Sequence, residues 1–300
     1  MKITEELSFD EARIYNLELK EKIKKVALDF IESEKTEREA CLACQYPEYS
    51  YAFEIQGFHY VQCKRCSSLY LKNPITDQKY RDYRSRIFKL YRDKKIKEKL
   101  KILYQKKTFN LEINLNRLFD KNDSIGIGFS GLKYTDFMKE LQKIFPRFLF
   151  SEVNFKERTK YDFIMLDNLI ESLIQPKQYL KQIYSCLKPG GYLYMTSRLG
   201  SGIDILLLWE NSKLIPTEHL NLFSTEGILF LIKGQFETVD LSTPGILDVR
   251  LLLESDNKNL PPFLKYLKKH RGEEIIEDFQ FFLQKNLLSS YLVLLAKKSE

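Results

Sequence analysis

The 300-residue sequence lacks any apolar run that approaches the roughly 18–20 residues needed to span a membrane. The segment Met1–Asp10 is acidic and has no apolar core of the kind found in a secretion signal. These absences predict a protein that has no membrane partner and lies in the cytoplasm. With 44% hydrophobic and 30% charged residues, the composition is that of a folded globular chain rather than a disordered one.

The excess of positive charge is confined to one segment. The chain carries a net charge of +7, yet residues 79–107 alone hold thirteen Lys and Arg against three acidic residues. Nucleic-acid binding by the whole chain is therefore not indicated. The segment is either a solvated helix face that connects two domains, which we favour, or a patch that receives a phosphorylated substrate. A zinc-ribbon nucleic-acid binder that uses this segment is a third hypothesis, and a steep salt dependence of binding would support it.

Cysteine is scarce, but four of the five cysteines are grouped in two C-x-x-C pairs. Cys41 and Cys44 are followed, after eighteen residues, by Cys63 and Cys66. Each pair can direct two thiolates towards one tetrahedral cation, and together they complete an all-sulfur shell of the zinc-ribbon type. A disulfide pair is one alternative, which a reducing cytoplasm disfavours. Redox-active C-x-x-C chemistry is another, which two pairs at this separation fit poorly. We therefore predict a structural zinc site, and we interpret Cys186 as a small buried hydrophobic residue.

The sequence divides into four predicted parts. Residues 1–40 form a helical segment, 41–74 the zinc ribbon, 75–120 a basic helical connector and 121–300 a region of alternating strands and helices. This alternation predicts the α/β class with a doubly wound, mostly parallel Rossmann-like sheet. Residues 251–290 are helical in pattern and are expected to cover the sheet.

In residues 121–300, apolar runs indicate the strands and helices, and Gly and Pro mark where these elements begin and end. The run Lys188-Pro-Gly-Gly191, for example, ends one helix and begins the next strand. Strands are predicted at 124–128, 148–155, 161–167, 191–197, 236–242 and 291–297, and helices at 132–145, 176–187 and 224–233.

A glycine-rich segment, Ser124-Ile-Gly-Ile-Gly-Phe-Ser-Gly131, joins the first of these strands to the first helix. Gly126, Gly128 and Gly131 have the spacing G-x-G-x-x-G. In such a turn the glycines let the backbone approach a ligand closely, and the following helix offers free amides. The alternative is a tight strand-to-helix turn that binds nothing.

Several motifs together carry a resemblance to a known family. The second C-x-x-C continues as Ser-Ser-Leu-Tyr-Leu-Lys-Asn-Pro74, Tyr161–Asp167 precedes Leu187-Lys-Pro-Gly-Gly191, and the segment Pro216-Thr-Glu-His-Leu-Asn-Leu-Phe-Ser224 follows. With the glycine-rich segment, this combination resembles class I S-adenosylmethionine-dependent methyltransferases that have an N-terminal zinc ribbon. Many of these act on sugars or other small molecules in polysaccharide and antibiotic pathways.

The resemblance implies S-adenosylmethionine as the cofactor and a small-molecule substrate, with a nucleotide-linked sugar as the expected acceptor. Cofactor binding would fall to the three glycines, to Asp167 at the end of the fourth family strand, and to an acidic residue after the second strand. Glu152 lies 21 residues beyond Gly131 and suits that place. An exposed loop glutamate without a ligand is the alternative interpretation of Glu152.

Two departures from the family pattern support a different function. Ser124 stands where family members have Asp or Glu. The 29 residues between Gly131 and Tyr161 hold a helix, one strand and a turn, whereas a further parallel crossover needs about a dozen more. The sheet is therefore predicted to be shortened by one strand–helix unit, which in the family provides much of the adenine pocket. A methyltransferase-like scaffold or accessory binding protein that has lost the cofactor is the alternative function.

The candidate catalytic pair is Glu218-His219. Imidazole titrates near neutral pH, so His219 can act as the base for an acceptor that must lose a proton, and Glu218 can orient it or share the task. A loop-stabilising pair without a chemical role is the alternative. Further pocket candidates are Glu171, by its position in the family, and Tyr80, Tyr83 and Arg84, as a source of hydroxyls or a phosphate contact.

Overall fold

The computed structural model describes residues 19, 21–91, 114–120, 124–130, 135–157, 159–212, 214–245, 248–254 and 260–300. Within these ranges the strands are β1 (Tyr49–Ile55), β2 (Phe58–Cys63), β3 (Leu69–Leu71), β4 (Ile125–Ser130), β5 (Phe148–Glu152), β6 (Tyr161–Asp167), β7 (Leu187–Arg198), β8 (Asn221–Leu222), β9 (Phe236–Ser242) and β10 (Tyr291–Lys298). The helices are α1 (Asp77–Tyr91), α2 (Thr135–Ile144), α3 (Pro176–Cys186), α4 (Ile203–Leu208), α5 (Thr225–Ile232), α6 (Asp248–Glu254), α7 (Pro262–His270) and α8 (Glu273–Lys285).

The larger sheet has six strands in the order β5-β4-β6-β7-β10-β9. β5, β4, β6 and β7 run parallel, and β10 and β9 pair antiparallel at the other side. A strand buried on both faces reads as a nearly continuous apolar run, which is why β6 is predicted residue for residue. The predicted α/β class with a mostly parallel Rossmann-like sheet is confirmed.

The sheet is shortened at the β5 side, as the residue count predicts. β5 is its outermost strand, and only residues 153–160 separate β5 from β6. These eight residues return the chain from the end of β5 to the start of the parallel β6, and they are too few to hold a further helix and strand as well. Leu149 on β5 is 60% exposed, so this flank of the sheet is open to solvent.

Two strands at this end of the sheet, β4 and β5, end at residues that differ from the predicted ones. β4 extends to Ser130 rather than ending at residue 128, because Ile125, Ile127 and Phe129 continue the apolar alternation into the core. β5 ends at Glu152, three residues earlier than predicted, since its last residues are polar and exposed.

The helices that precede the last strand do not cover the sheet as expected. The buried residues of α6, α7 and α8 pack on one another and on Ile203, Leu207 and Leu208 of α4. Among the described residues this cluster contains none from the six strands of the larger sheet. Helices α4, α6, α7 and α8 therefore form a small apolar core of their own.

The predicted ribbon forms a second, antiparallel sheet with the order β1-β2-β3-β8. β1 and β2 form a hairpin whose turn, Gln56-Gly57, has positive φ at both residues, as a two-residue hairpin turn requires. β8 comes from the segment that follows α4, and its Leu222 pairs with Leu69 of β3. The sheet of the ribbon is thus completed by a strand from the α/β part of the chain.

The predicted helical segment 1–40 and the basic connector 75–120 are described only in part. Residues 21–28 are helical, and α1 and residues 114–120 represent the connector. Residues 1–18 and 92–113 lie outside the described part of the chain, and so does most of the basic segment. No helix in the described ranges is long and apolar enough to cross a membrane.

Candidate functional site

The four cysteines of the two C-x-x-C pairs converge. The Sγ atoms of Cys41 and Cys66 are 3.6 Å apart, those of Cys44 and Cys63 are 3.5 Å apart, and all four lie within 4.8 Å of one another. Zn–S bonds of about 2.3 Å place tetrahedral sulfurs about 3.8 Å apart, so the cluster fits one cation of this kind. All five thiols are free, and Cys186 is buried away from the cluster, so the disulfide alternative is not what the structure contains.

The two cysteine pairs sit on matching turns. The amide of Gln45 donates to the carbonyl of Cys41 at 2.9 Å, and the amide of Ser67 donates to the carbonyl of Cys63 at 3.0 Å. Gln45 and Ser67 both have positive φ, near 60°. Each turn is thereby closed by the residue four positions after its first cysteine, which points both thiols of the pair inward. Burial raises the pKa of the Cys44 thiol to about 11, so a bound cation is what would deprotonate it.

The segment that carries the candidate catalytic pair is held by the ribbon. The hydroxyl of Tyr60, on β2, donates to the carbonyl of His219 at 2.8 Å. The guanidinium of Arg38 donates to the carbonyl of Leu220 at 3.1 Å and to Oδ1 of Asn221 at 2.8 Å. Arg38 is buried, which lowers its pKa to about 10. Tyr60 of the ribbon and Arg38, just before the ribbon, therefore fix the backbone directly at and after the candidate base.

A tight turn orients His219. The amides of Glu218 and His219 both donate to the carbonyl of Ile215 at 2.9 Å. Nδ1 of His219 lies 3.1 Å from both the amide nitrogen and the carbonyl oxygen of Ile215. In the tautomer in which Nδ1–H donates to that carbonyl, Nε2 holds the lone pair that a general base needs.

Helix α1 brings three predicted pocket residues to this turn. Nη1 of Arg84 lies 3.4 Å from both carboxylate oxygens of Glu218, and both side chains are mostly buried. The hydroxyl of Tyr80 donates to the carbonyl of Ser172, directly after β6, which fixes α1 over the carboxyl end of that strand. The hydroxyl of Tyr83 is buried beside Glu218, and burial raises its pKa.

Strands β4, β5 and β6 end at one edge of the sheet and place three polar side chains there. Ser130 ends β4, the exposed Glu152 ends β5, and Asp167 ends β6. Asp167 is buried, and its carboxylate accepts hydrogen bonds from Thr196 Oγ1 at 2.6 Å and from the Tyr291 hydroxyl at 3.5 Å. In parallel sheets this carboxyl edge is where ligands bind.

Gly126 and Gly128 lie inside β4 rather than in the turn after it. The amide of Gly126 donates to Oδ2 of Asp162 at 2.8 Å. A Cβ on Gly128 would lie 2.7 Å from Val153 and 3.1 Å from the Tyr161 ring, so this glycine lets neighbouring side chains pack against the strand. Gly131, the third glycine of the motif, lies with residues 132–134 outside the described residues.

Sequence reasoning missed two tyrosines of this edge. Tyr179, near the start of α3, makes a hydrogen bond with the Ser130 hydroxyl, and its ring contacts Phe155 edge-on at 5.2 Å. Tyr291 begins β10 and reaches Asp167. A tyrosine in an amphipathic helix or at a strand start carries no local signal of a contact more than 40 residues away, so only the fold reveals either one.

Glu171 is placed near the same edge, in the 3₁₀ turn Ile170–Ser172 that follows β6. It is buried, and it accepts a hydrogen bond from the Ser197 hydroxyl at 3.3 Å. Glu171 and the Arg84–Glu218 pair thus lie on segments beside the carboxyl ends of β6 and β7.

A comparison with protein families identifies the class of this chain. The model of a methyltransferase domain matches residues 78–232, which is more than half of the sequence. The chain therefore belongs to the methyltransferase-domain family. A comparison with curated proteins gave no match.

Several solved structures are similar to this chain at low identity. A putative sarcosine dimethylglycine methyltransferase from Galdieria sulphuraria is 13% identical, with 66% of this chain and 86% of that chain covered and a TM-score of 0.40. The StiE O-methyltransferase, residues 961–1257, is 15% identical over 71% and 80% of the two chains, with a TM-score of 0.38. The [4+2]-cyclase SpnF is also 15% identical, over 63% and 80%, with a TM-score of 0.37.

Proposed function

We propose that this protein transfers a methyl group from S-adenosylmethionine to a small molecule in the cytoplasm, with a nucleotide-linked sugar of a polysaccharide pathway as the acceptor. The observation that carries the proposal is the arrangement of Glu218, His219 and Arg84 beside the carboxyl edge of a methyltransferase-family sheet. That edge has a buried carboxylate, Asp167, and an exposed one, Glu152. A parallel sheet of this kind binds its ligands there.

The residues present at the edge suit the cofactor in part. S-adenosylmethionine, when bound, supplies an electrophilic methyl group on a positively charged sulfur. Glu152 stands at the end of the second parallel strand, where its carboxylate can accept hydrogen bonds from ribose hydroxyls. Asp167, at the end of β6, and Gly131 are the further residues that we propose to contact the cofactor. With no further strand–helix unit beside β5, we expect the adenine side of the pocket to be shallow.

The turn that carries Glu218 and His219 would help to bind the acceptor and remove its proton. Nε2 of His219 would take the proton of an acceptor hydroxyl or acidic carbon, while Nδ1 stays directed at Ile215. Arg84 holds the Glu218 carboxylate and is also a suitable partner for a phosphate group. A phosphorylated acceptor would then exchange places with Glu218 on the guanidinium and release that carboxylate towards His219.

An assay of S-adenosylhomocysteine release tests the acceptor class. The protein is incubated with S-adenosylmethionine and a panel of nucleotide-linked sugars, and turnover is expected with at least one of them. His219→Gln should lower kcat by about a hundredfold or more, as loss of a general base does. His59→Gln, which changes an exposed histidine paired with Glu54, is the matched control and should leave turnover intact. Equal rates in both variants would remove His219 from the mechanism.

We also propose that the cysteine cluster binds one zinc ion with a structural role, within a ribbon that spans residues 41–74. The support is a closed shell of four sulfurs with no further protein ligand needed. Metal analysis of the purified protein should give one zinc per chain. Cys44→Ser should lose the metal and lower the melting temperature, because zinc binding contributes to folding. Cys186→Ser is the control and should retain the metal; a protein that folds equally well without zinc would contradict the structural role.

The second candidate function is a methyltransferase-like binding scaffold. It is favoured by Gly128, whose surroundings are filled by Val153 and Tyr161, and by the missing strand–helix unit beside β5. In this case S-adenosylmethionine would neither bind nor be consumed, although small molecules could still bind beside Arg84. Cofactor-dependent turnover of any acceptor would exclude this function.

A further inference from the structure

Helices α7 and α8 present an apolar face to solvent. Their inner sides are buried: Leu264 and Leu267 of α7 pack with Ile276 and Leu283 of α8. Their outer sides carry a second set of apolar residues, Phe263, Tyr266, Ile275 and Phe282, which together with the partly buried Phe279 at its border, also packed on the inner cluster, we call the aromatic face. Phe263 is 58% exposed, Tyr266 50% and Phe282 51%. A helix needs only one apolar side to pack on its own core, so this second set serves another contact.

The aromatic face is continuous across the two helices. The rings of Phe263 and Phe279 are 5.8 Å apart in an edge-on contact, and those of Phe279 and Phe282 are 6.3 Å apart and stacked. Ile275, Phe279 and Phe282 follow helical spacing on α8, and Tyr266 lies one turn from Phe263 on α7. Contiguous exposed patches of this kind mark interaction sites in soluble proteins.

The charges beside the aromatic face indicate which partner fits. Next to Tyr266 on α7 the charged side chain is Lys269, and the guanidinium of Arg271, directly after the helix, lies 5.1 Å from the Tyr266 ring centroid. On α8 the charged side chains on the side of Ile275 and Phe282 are Glu274 and Asp278, and both are acidic. An anionic membrane or a nucleic acid would be attracted by α7 but repelled by α8. A surface with one basic and one acidic half is complementary to its own copy rotated by 180°, because α7 then meets α8 twice.

We propose that the aromatic face is a self-association surface on which a second copy of this chain docks by two-fold symmetry, with α7 of one copy against α8 of the other. Three half-exposed aromatic side chains, each with about 75–125 Å² open to solvent, lie at its centre. A standard interface buries about 800 Å² per partner, so the flanking charged residues must contribute the remainder. The resulting dimer is expected to be reversible and weakened by salt.

Sedimentation velocity of the full-length, metal-replete protein over a concentration series tests the location of the contact. The wild-type chain should dimerise, and Phe282→Asp should weaken the dimer at least about tenfold, as loss of a central aromatic contact does. Tyr51→Asp is the matched control: this aromatic residue is 64% exposed but lies on β1 of the ribbon, outside the aromatic face and its flanking charges, and should leave the dimer unchanged. Circular dichroism shows that both variants fold. A monomeric wild-type chain, or equal effects of both substitutions, would overturn the proposal.

A charge exchange tests the symmetry. Lys269→Glu with Arg271→Glu makes the basic half of the face acidic, and Glu274→Lys with Asp278→Lys makes the start of α8 basic. Each double variant should be monomeric, since like charges then face each other, whereas an equimolar mixture of the two should form a heterodimer. Failure of the mixture to associate would overturn the proposed pairing of α7 with α8. A wild-type chain that stays monomeric but binds phosphatidylserine vesicles would assign the face to a membrane surface instead.

Discussion

The hydrogen bond from Tyr60 to the backbone of His219 gives a sharp test of how the ribbon supports the candidate site. Tyr60 is fully buried, its ring stacks on Phe53 at 4.9 Å, and burial raises its pKa, so the hydroxyl is a neutral donor. Its acceptor, the carbonyl of His219, lies 2.8 Å away. Tyr60→Phe keeps the ring and removes only this donor.

The expected cost follows from the burial of the pair. A buried hydrogen bond contributes about 1 kcal/mol net, and an acceptor left without a partner adds desolvation, so the free energy of unfolding should fall by about 1–2 kcal/mol. For a chain of this size the melting temperature should drop by about 2–5 °C. The turn at residues 215–219 would also be less restrained, so kcat should fall with little change in the affinity for the cofactor.

Tyr70→Phe is the matched control for this experiment. Tyr70 lies on β3 of the same sheet and is also buried, but its hydroxyl has no hydrogen-bond partner among the described residues. Its removal should leave stability unchanged or raise it by up to about 1 kcal/mol. Urea unfolding of both variants measures the difference. Equal losses in Tyr60→Phe and Tyr70→Phe would refute the role assigned to the contact with His219.

Two further predictions concern packing and pH. A Cβ on Gly227 would overlap Oγ of the buried Ser68, so Gly227→Ala should destabilise the junction of α5 with the ribbon. Urea unfolding should show a loss of about 1–3 kcal/mol. Gly272 has open space around it, so Gly272→Ala should cost less than about 1 kcal/mol. Burial by itself would raise the pKa of Asp204, but the Arg198 guanidinium outweighs it and holds this pKa below the usual 3.8. The pair therefore stabilises the fold above about pH 4 and its contribution is lost as the pH falls through the lowered pKa. Asp204→Asn should be less stable at neutral pH yet lose less on acidification; a parallel pH profile of unfolding would contradict this.

The parts of the fold that could be predicted are those that local sequence determines. β6 and β9 match the predicted ranges exactly because each is a run of strand-forming residues with a clear boundary at both ends. The missing strand–helix unit follows from chain length alone, since eight residues between β5 and β6 cannot contain it. The cysteine cluster follows from the spacing of its four ligands.

The residues of the candidate site could be predicted from the sequence, but the contacts between them could not. His219, Glu218 and Arg84 are all identifiable from the sequence, but the approach of Tyr60 to His219 joins residues 159 positions apart. Gly126 and Gly128 lie inside β4, within the predicted strand 124–128, but the strand continues to Ser130. The alternation of Ile125, Ile127 and Phe129 signals this longer strand, whereas the glycine spacing indicates an earlier turn.

Calorimetric titration of the zinc-replete protein with S-adenosylhomocysteine tests the central claim most directly. We expect S-adenosylhomocysteine to bind in the micromolar range. Glu152→Ala should weaken this binding at least about tenfold, because a carboxylate that holds ribose hydroxyls contributes on the order of 1.5–3 kcal/mol. Glu157→Ala, in the loop after β5, is the control and should bind as the wild type does. An absence of heat and of thermal stabilisation at millimolar ligand would contradict the claim that the shortened sheet still binds the cofactor.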